Sequence, residues 1–420
     1  MPRTSVAVIG SGVGGLTAAH LLQRSYDVTL YEAAPRIGGH AETHTVPDGA
    51  GGSVAVDTAV MMVHARGNPH LMRLFDELGV TTRPLGEITL SVVCEECGFA
   101  NPDAHDLHRP PPQPQAVPAA AWQRVTEQTK RFSDDLTAAL GATAADRTLH
   151  ELIDAGEYGD YVVEHVIMPV MVTMGLVPAD HVRRFPLGHL FETLDHNGVL
   201  AGDNGWRSVV GGTASYVERI AARLTTVLRS TPVRSVRRTA RTIDVRDATG
   251  TVRSFDKAVI ATHPRHALDL LADPSGLETR ILGVFDYVAN PGVLHTDASV
   301  LPTAPGMRRT HNYRQRSCRP VNAAPSLSID LNRLQGIASA AHHIASYNDE
   351  ARRASPATVI APLSYEHPAW TPESAAAQRL LPLVSDHRLA FAGAYHHAGG
   401  YHEDGCLSGV RAAASLGVPW

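Results

Sequence analysis

The chain has 420 residues, 44% of them hydrophobic, enough for a substantial core in one large domain or two interleaved ones. A net charge of −5 gives no electrostatic footprint for nucleic acid, and four cysteines in this length make no disulfide framework. The longest apolar run, "VIMPVMVTMGLV", is too short for a membrane span and carries Pro169, and no charged leader precedes the first strand, so a soluble cytoplasmic protein is expected.

In chain order, "SVAVIGSGVGGLTAAHLL" predicts a buried strand, a glycine turn and a helix. Gly10, Gly12 and Gly15 fit GxGxxG, with Gly14 between them. The first permits the tight turn, the second lets a pyrophosphate reach the backbone, and the third lets the helix lie close to the strand. The helix N-terminus presents free N–H groups to the phosphates. A second strand, "YDVTLYE", ends at Glu32, placed to accept hydrogen bonds from an adenosine ribose, with Ala33 beside it. Strand, turn, helix, strand and acid in this order predict dinucleotide binding on a Rossmann-like α/β sheet. "GGSVAVDTAV" reads as a hairpin segment, and "CEEC" at Cys94–Cys97 as a pair of reduced thiols, since a structural zinc would need two more ligands. "HRPPPQPQAVPAAAW" reads as a loop, whereas "TEQTKRFSDDLTAALGA" and "TLHELIDAG" have helical spacing.

After Glu32 comes "AAPRIGGHAETHT", in which Arg36, Gly38 and Gly39, followed by His40, make a second turn near the phosphates. This combination resembles the FAD-binding fold of the flavin amine oxidase and phytoene desaturase superfamily. The resemblance implies that these residues hold FAD, that "TPVRSVRR" brings Val233 to the adenine, and that "DKAVIATHPRHALDLL" supplies a strand ending at Ala261. "NPGVLHTDASVLP", "NRLQGI" and "YEHPAW" are similar to blocks of a bacterial branch of FAD-dependent oxidoreductases, some linked to fatty-acid desaturation. The implied fold is a discontinuous FAD domain (1–65, 205–270 and 385–420) with an inserted α+β substrate domain (66–204 and 271–384).

"AGAYHHAGGYHEDGC" near the C-terminus packs several metal-ligand types together, but no distant ligand set accompanies them, and no metal is expected. The resemblance reads it as a strand delivering Gly393 and Ala394, then a helix aimed at the flavin's pyrimidine end. In that reading Glu403, Asp404, Gly405 and Ser408 serve capping and ribityl contact. Against the branch's usual pattern, His64, His311 and Asp330 replace aromatics, which implies a substrate more polar than a plain acyl chain. His64, His311 and His402 are the candidate bases, with Tyr313 as an orienting donor. Imidazoles of ordinary basicity imply that substrate-driven flavin reduction falls as pH drops through about 6.5. The expected activity is hydride removal from a small molecule, free or carrier-tethered; a redox-neutral flavin-dependent isomerase is the alternative.

Overall fold

A computed structural model describes residues 3–114, 117–140, 147–196, 205–319, 324–397 and 399–420. The apolar, β-branched runs form a five-stranded parallel sheet, in the order 226–228, 27–31, 5–9, 257–260 and 389–391. Val6, Ala7 and Val8 are fully buried, as expected of a strand covered on both faces. The turn helix Val13–Leu22 packs against the C-terminal helix His402–Ser415. Glycines allow the approach: a Cβ on Gly409 would sit 2.3 Å from the Gly14 carbonyl oxygen.

A second sheet of seven strands follows the order 359–369, 286–295, 344–347, 327–330, 311–315, 90–94 and 100–101. It is antiparallel except where 90–94 runs parallel to 311–315. The hairpin Thr43–Pro47 and Ser53–Asp57 joins the two layers. Asp57 carries the joint: its carboxylate accepts from Thr213 N and the Thr43 and Thr213 hydroxyls, and its backbone exchanges two hydrogen bonds with the Gln335 amide.

A run of consecutive helical segments lies between residues 119 and 196. The proline-rich loop is shorter than expected: a 22-residue helix starts at Ala119, directly after Pro118, because the alanines that follow are strong helix formers. Residues 115–116 of that loop lie outside the described residues. Thr148 and Glu151 form a reciprocal capping box for Leu149–Ala155. "VIMPVMVTMGLV" contributes a helix, Met168–Gly175, entered through a π-helical turn at Val163–Ile167. Pro169 has no N–H for the carbonyl one turn back, and the wider turn accommodates that gap. Among the described residues no helix is long and apolar enough to cross a membrane.

Candidate active site

The glycine turn has the strained geometry its sequence demands. Gly10 has φ +99, donates to Tyr31 O at 2.9 Å, and a Cβ there would lie 2.5 Å from Ala261 O. Gly12 begins the helix, and a Cβ on it would meet no protein atom within 4 Å. At the end of the second strand, Glu32 accepts from Ser11 N at 3.0 Å and Ala34 N at 2.8 Å. The Ser11 hydroxyl in turn accepts from Gly38 N at 3.0 Å, which docks the second turn on the first. Gly39 passes so close that its Cβ would lie 3.0 Å from Gly12 Cα.

Arg36 corrects one expectation. Its guanidinium donates to Gly39 O at 2.8 Å and Ala41 O at 3.1 Å and pairs with Glu42 at 3.2 Å. It braces the second turn and is not among the residues that line the cavity beside it.

That cavity has a volume of about 1670 Å³. The glycine turn opens into it through Gly10, Gly12 and Gly14, the strand ends through Glu32 and Ala33, and the second turn through Gly39 and His40. Val233, Ala261, Gly393 and Ala394 complete this end. Gly15 and Gly38 stand behind it as close-packed backbone.

The C-terminal helix start is built differently from the expectation. Ser408 Oγ accepts from Gly393 N at 2.8 Å and donates to Gly405 O at 2.6 Å, pinning the strand exit to the helix. Gly405 lets the helix approach Val13, whose Cγ1 would lie 2.4 Å from an added Cβ. Asp404 accepts from Tyr401 N at 2.8 Å and caps its own helix; burial pushes its carboxyl up to about 7. Glu403 faces away from the cavity. It accepts from His70 N at 3.0 Å and Leu71 N at 2.9 Å, capping Pro69–Leu78, and lies 2.6 Å from His70 Nδ1. The expected ribityl contacts of Glu403 and Asp404 are therefore replaced by caps on two helices.

Of the candidate bases, His311 and His402 line the cavity and His64 does not. His64 is fully buried: its N–H donates to Asn68 Oδ1, its Nδ1 accepts from Gly67 N, and its ring packs edge-on at 5.2 Å from Trp206. The two-residue pairing of Val63–His64 with Trp206–Arg207 turns it into that wall. Tyr313 is buried in the sheet, away from the cavity, and burial raises its hydroxyl. His402 Nε2 lies 2.8 Å from the Tyr216 hydroxyl, and burial holds His402 down to about 3. Burial likewise holds His311 down to about 4. Both imidazoles are neutral throughout the physiological range.

The sequence reading missed the partners that strand Val359–Ala369 brings in. His367 lines the cavity with its Nδ1 3.0 Å from the Asn290 amide nitrogen, and Trp370 forms wall beside it. The His40 ring lies 5.7 Å from that of His367 and 5.3 Å from that of Tyr365. Two-residue alternation in "SYEHPAW" puts Tyr365 and His367 on one face, which is the signal that could have found them. The expectation of an isolated thiol pair at Cys94 and Cys97 also fails in three dimensions, because Cys318 and His165 lie beside it.

Residues 13–293, more than half of the chain, match the family of flavin containing amine oxidoreductases. The chain belongs to that family. Similar solved structures include a putative protoporphyrinogen oxidase from Exiguobacterium sp. 255-15, at 15% identity and a TM-score of 0.69, and cyclohexylamine oxidase from Brevibacterium oxydans IH-35A, at 16% and 0.68; each pair covers 99% of both chains. A CLA-producing fatty acid isomerase from P. acnes matches at 13% identity and a TM-score of 0.68, over 97% of both chains. At these identities the likeness is one of fold. A comparison with curated protein sequences finds no match.

As a flavin amine oxidoreductase-type enzyme, the protein uses a flavin, FAD in this family. The cradle fits it: the open space over Gly12, the helix N-terminus behind it, and the Glu32 carboxylate at the strand end suit a pyrophosphate and a ribose. Glu32→Ala is expected to weaken FAD binding about 10- to 100-fold, the loss of one or two charge-assisted hydrogen bonds. Titration of the apoprotein with FAD measures it; wild-type affinity would remove Glu32 from the ribose site.

Proposed function

We propose that the protein oxidises a small molecule with a largely apolar body, by removing a hydride from a C–H bond next to a group that gives up a proton. The supporting observation is the continuity of the cavity. It runs from the glycine cradle into a chamber walled by Met61, Met62, Ile88, Leu136, Met171 and Leu190, with His311 and His402 also on its surface. Bound FAD would supply the hydride acceptor. The apolar wall takes up the substrate body and excludes water, and a neutral imidazole accepts the proton. His402 is the preferred base, because the C-terminal helix and Tyr216 fix its ring.

The residues that suggested a strongly polar substrate are mostly withdrawn from the cavity. Of His64, His311 and Asp330, only His311 lines the cavity; Asp330 accepts from Arg333 N and caps a short helix. The redox-neutral isomerase reading also draws on the apolar chamber, and differs in consuming no electron acceptor.

Anaerobic stopped-flow with alicyclic amines and unsaturated fatty acids tests both readings. A substrate that bleaches the flavin and consumes O2 on aeration supports oxidation; product formation without net acceptor consumption supports isomerisation. His402→Asn is expected to slow reduction about 10²–10⁴-fold with flavin content unchanged. The rate should stay flat from about pH 8.5 down to about pH 6, because the base titrates far below the ordinary 6.5. A fall through about 6.5, or wild-type rates in both His402→Asn and His311→Asn, would sink this assignment.

A further inference from the structure

Three of the chain's four cysteines meet a histidine at a point outside the cavity lining. Cys94 ends strand Leu90–Cys94, and Cys97 follows in the tight turn to Ala100–Asn101, closed by Gly98 at φ +72. Cys318 lies just beyond strand His311–Gln315, and His165 sits in the π-helical turn. The four donor atoms all lie within 4.8 Å of one another. Cys94 Sγ is 3.9 Å from Cys318 Sγ, and Cys97 Sγ is 3.4 Å from His165 Nε2.

These separations decide between the chemistries open to thiols. A disulfide needs sulfurs about 2.05 Å apart, far closer than Cys94 and Cys318. A tetrahedral zinc, with Zn–S of about 2.3 Å and Zn–N of about 2.0–2.1 Å, sets neighbouring ligand atoms roughly 3.6–3.8 Å apart. The two separations above, 3.4 and 3.9 Å, fall on either side of that range, and all four donor atoms lie within 4.8 Å of one another.

The surroundings prepare the ligands. His165 Nδ1 lies 3.0 Å from the Tyr161 carbonyl, which can only accept. Nδ1 therefore holds the ring proton, and Nε2 turns its lone pair to the sulfurs, the arrangement a metal-bound histidine needs. Aromatic rings close the site: Tyr161 stacks on His165 at 4.1 Å, and Phe99 lies 5.3 Å from the same ring. The two glutamates between the cysteines each have a partner of their own. Glu95 pairs with Arg314 and Arg353, and Glu96 accepts from Cys318 N.

We propose that Cys94, Cys97, Cys318 and His165 bind one structural zinc ion. Four protein ligands leave no position for substrate or water, so the ion is a tie and not a catalyst. It joins the edge of the seven-stranded sheet to the π turn that opens helix Met168–Gly175, whose Met171 lines the chamber. Binding displaces a proton from each thiol, so affinity falls in acid.

Elemental analysis of full-length protein, purified without a histidine tag or chelator, should find one zinc per chain. Cobalt exchanged into the site should show thiolate charge-transfer and tetrahedral d–d absorption. Cys318→Ser and His165→Asn should each lower zinc retention against a fixed chelator by more than the roughly 10–100-fold that an outer partner costs. Cys406→Ser, which alters the buried fourth cysteine, should retain the full stoichiometry. If a ligand variant fails to fold, thiol titration of the wild type replaces it: three thiols should be protected until chelator is added. Metal-free protein that fails to take up zinc or cobalt, three freely reactive thiols before chelation, or a Cys94–Cys318 disulfide would each overturn the proposal.

Discussion

Between pH 7.5 and pH 5.5 the protein is expected to lose roughly 5 kcal/mol or more of stability, about 10 °C or more in Tm. The cause is a set of histidines that folding holds uncharged. Burial pushes His40, His189, His263, His295 and His311 down to about 4, and His367, His396 and His402 down to about 3. Their value in the unfolded chain is about 6.5. The folded values lie below the unfolded ones, so the unfolded chain binds more protons once pH falls below about 6.5. Stability is then lost progressively until pH reaches the folded values. At pH 5.5 each such group costs about 1.4 kcal/mol, and the sum over the eight is about 11 kcal/mol before water in the cavity is discounted. Asp404 acts the other way: its carboxyl is raised to about 7, so it gains stability as pH falls, and it offsets part of the loss. Thermal melts by circular dichroism across this range measure the effect. A Tm independent of pH from 7.5 to 5.5 would show that these rings are hydrated and titrate normally.

Legibility in the sequence followed the range of the interactions involved. The first strand–turn–helix–strand unit was readable because its constraints are local. Gly10, Gly12, Gly15 and Glu32 lie within one strand–turn–helix–strand unit, and each obeys a rule that needs no distant partner. The residue types at the C-terminal helix start were readable as caps, but their targets were not. Glu403 caps a helix through His70, 333 residues away in sequence, and only the packing of helix His402–Ser415 beside Pro69–Leu78 reveals it. His64 and Tyr313 show the same limit in another form. Each lies within two residues of cavity wall, yet strand pairing turns one into a buried loop clasp and the other into sheet core. The thiol cluster was half visible. The CxxC turn is a local motif, but His165 is 68 residues from Cys97 and Cys318 is 224 from Cys94, so the missing ligands appear only once the helical segment folds over the sheet edge.

The glycine turn offers the sharpest separation of folding from cofactor binding. Gly15→Ala is expected to destabilise the fold by about 3 kcal/mol or more and to abolish flavin content in what remains soluble. A Cβ at Gly15 would lie 2.0 Å from the Gly10 carbonyl oxygen and 3.1 Å from Ala261 Cβ. The nearest of these contacts is backbone, so no side chain can rotate away, and the helix must lift off the strand end. Gly12→Ala should behave in the opposite way. Gly12 has φ −61 and ψ 171, a conformation alanine adopts freely, and its added Cβ meets no protein atom within 4 Å. Folding stability without flavin should equal the wild type. The new methyl, however, stands in the cavity at the helix N-terminus, where a pyrophosphate must approach the backbone. FAD affinity should fall at least about 100-fold, roughly 2.7 kcal/mol. Melts of apoprotein and flavin titrations on the two variants measure both halves. A Gly12→Ala protein with wild-type affinity would move the pyrophosphate off this helix, and a stable, fully flavinated Gly15→Ala protein would show that the helix and turn are not in the close contact described.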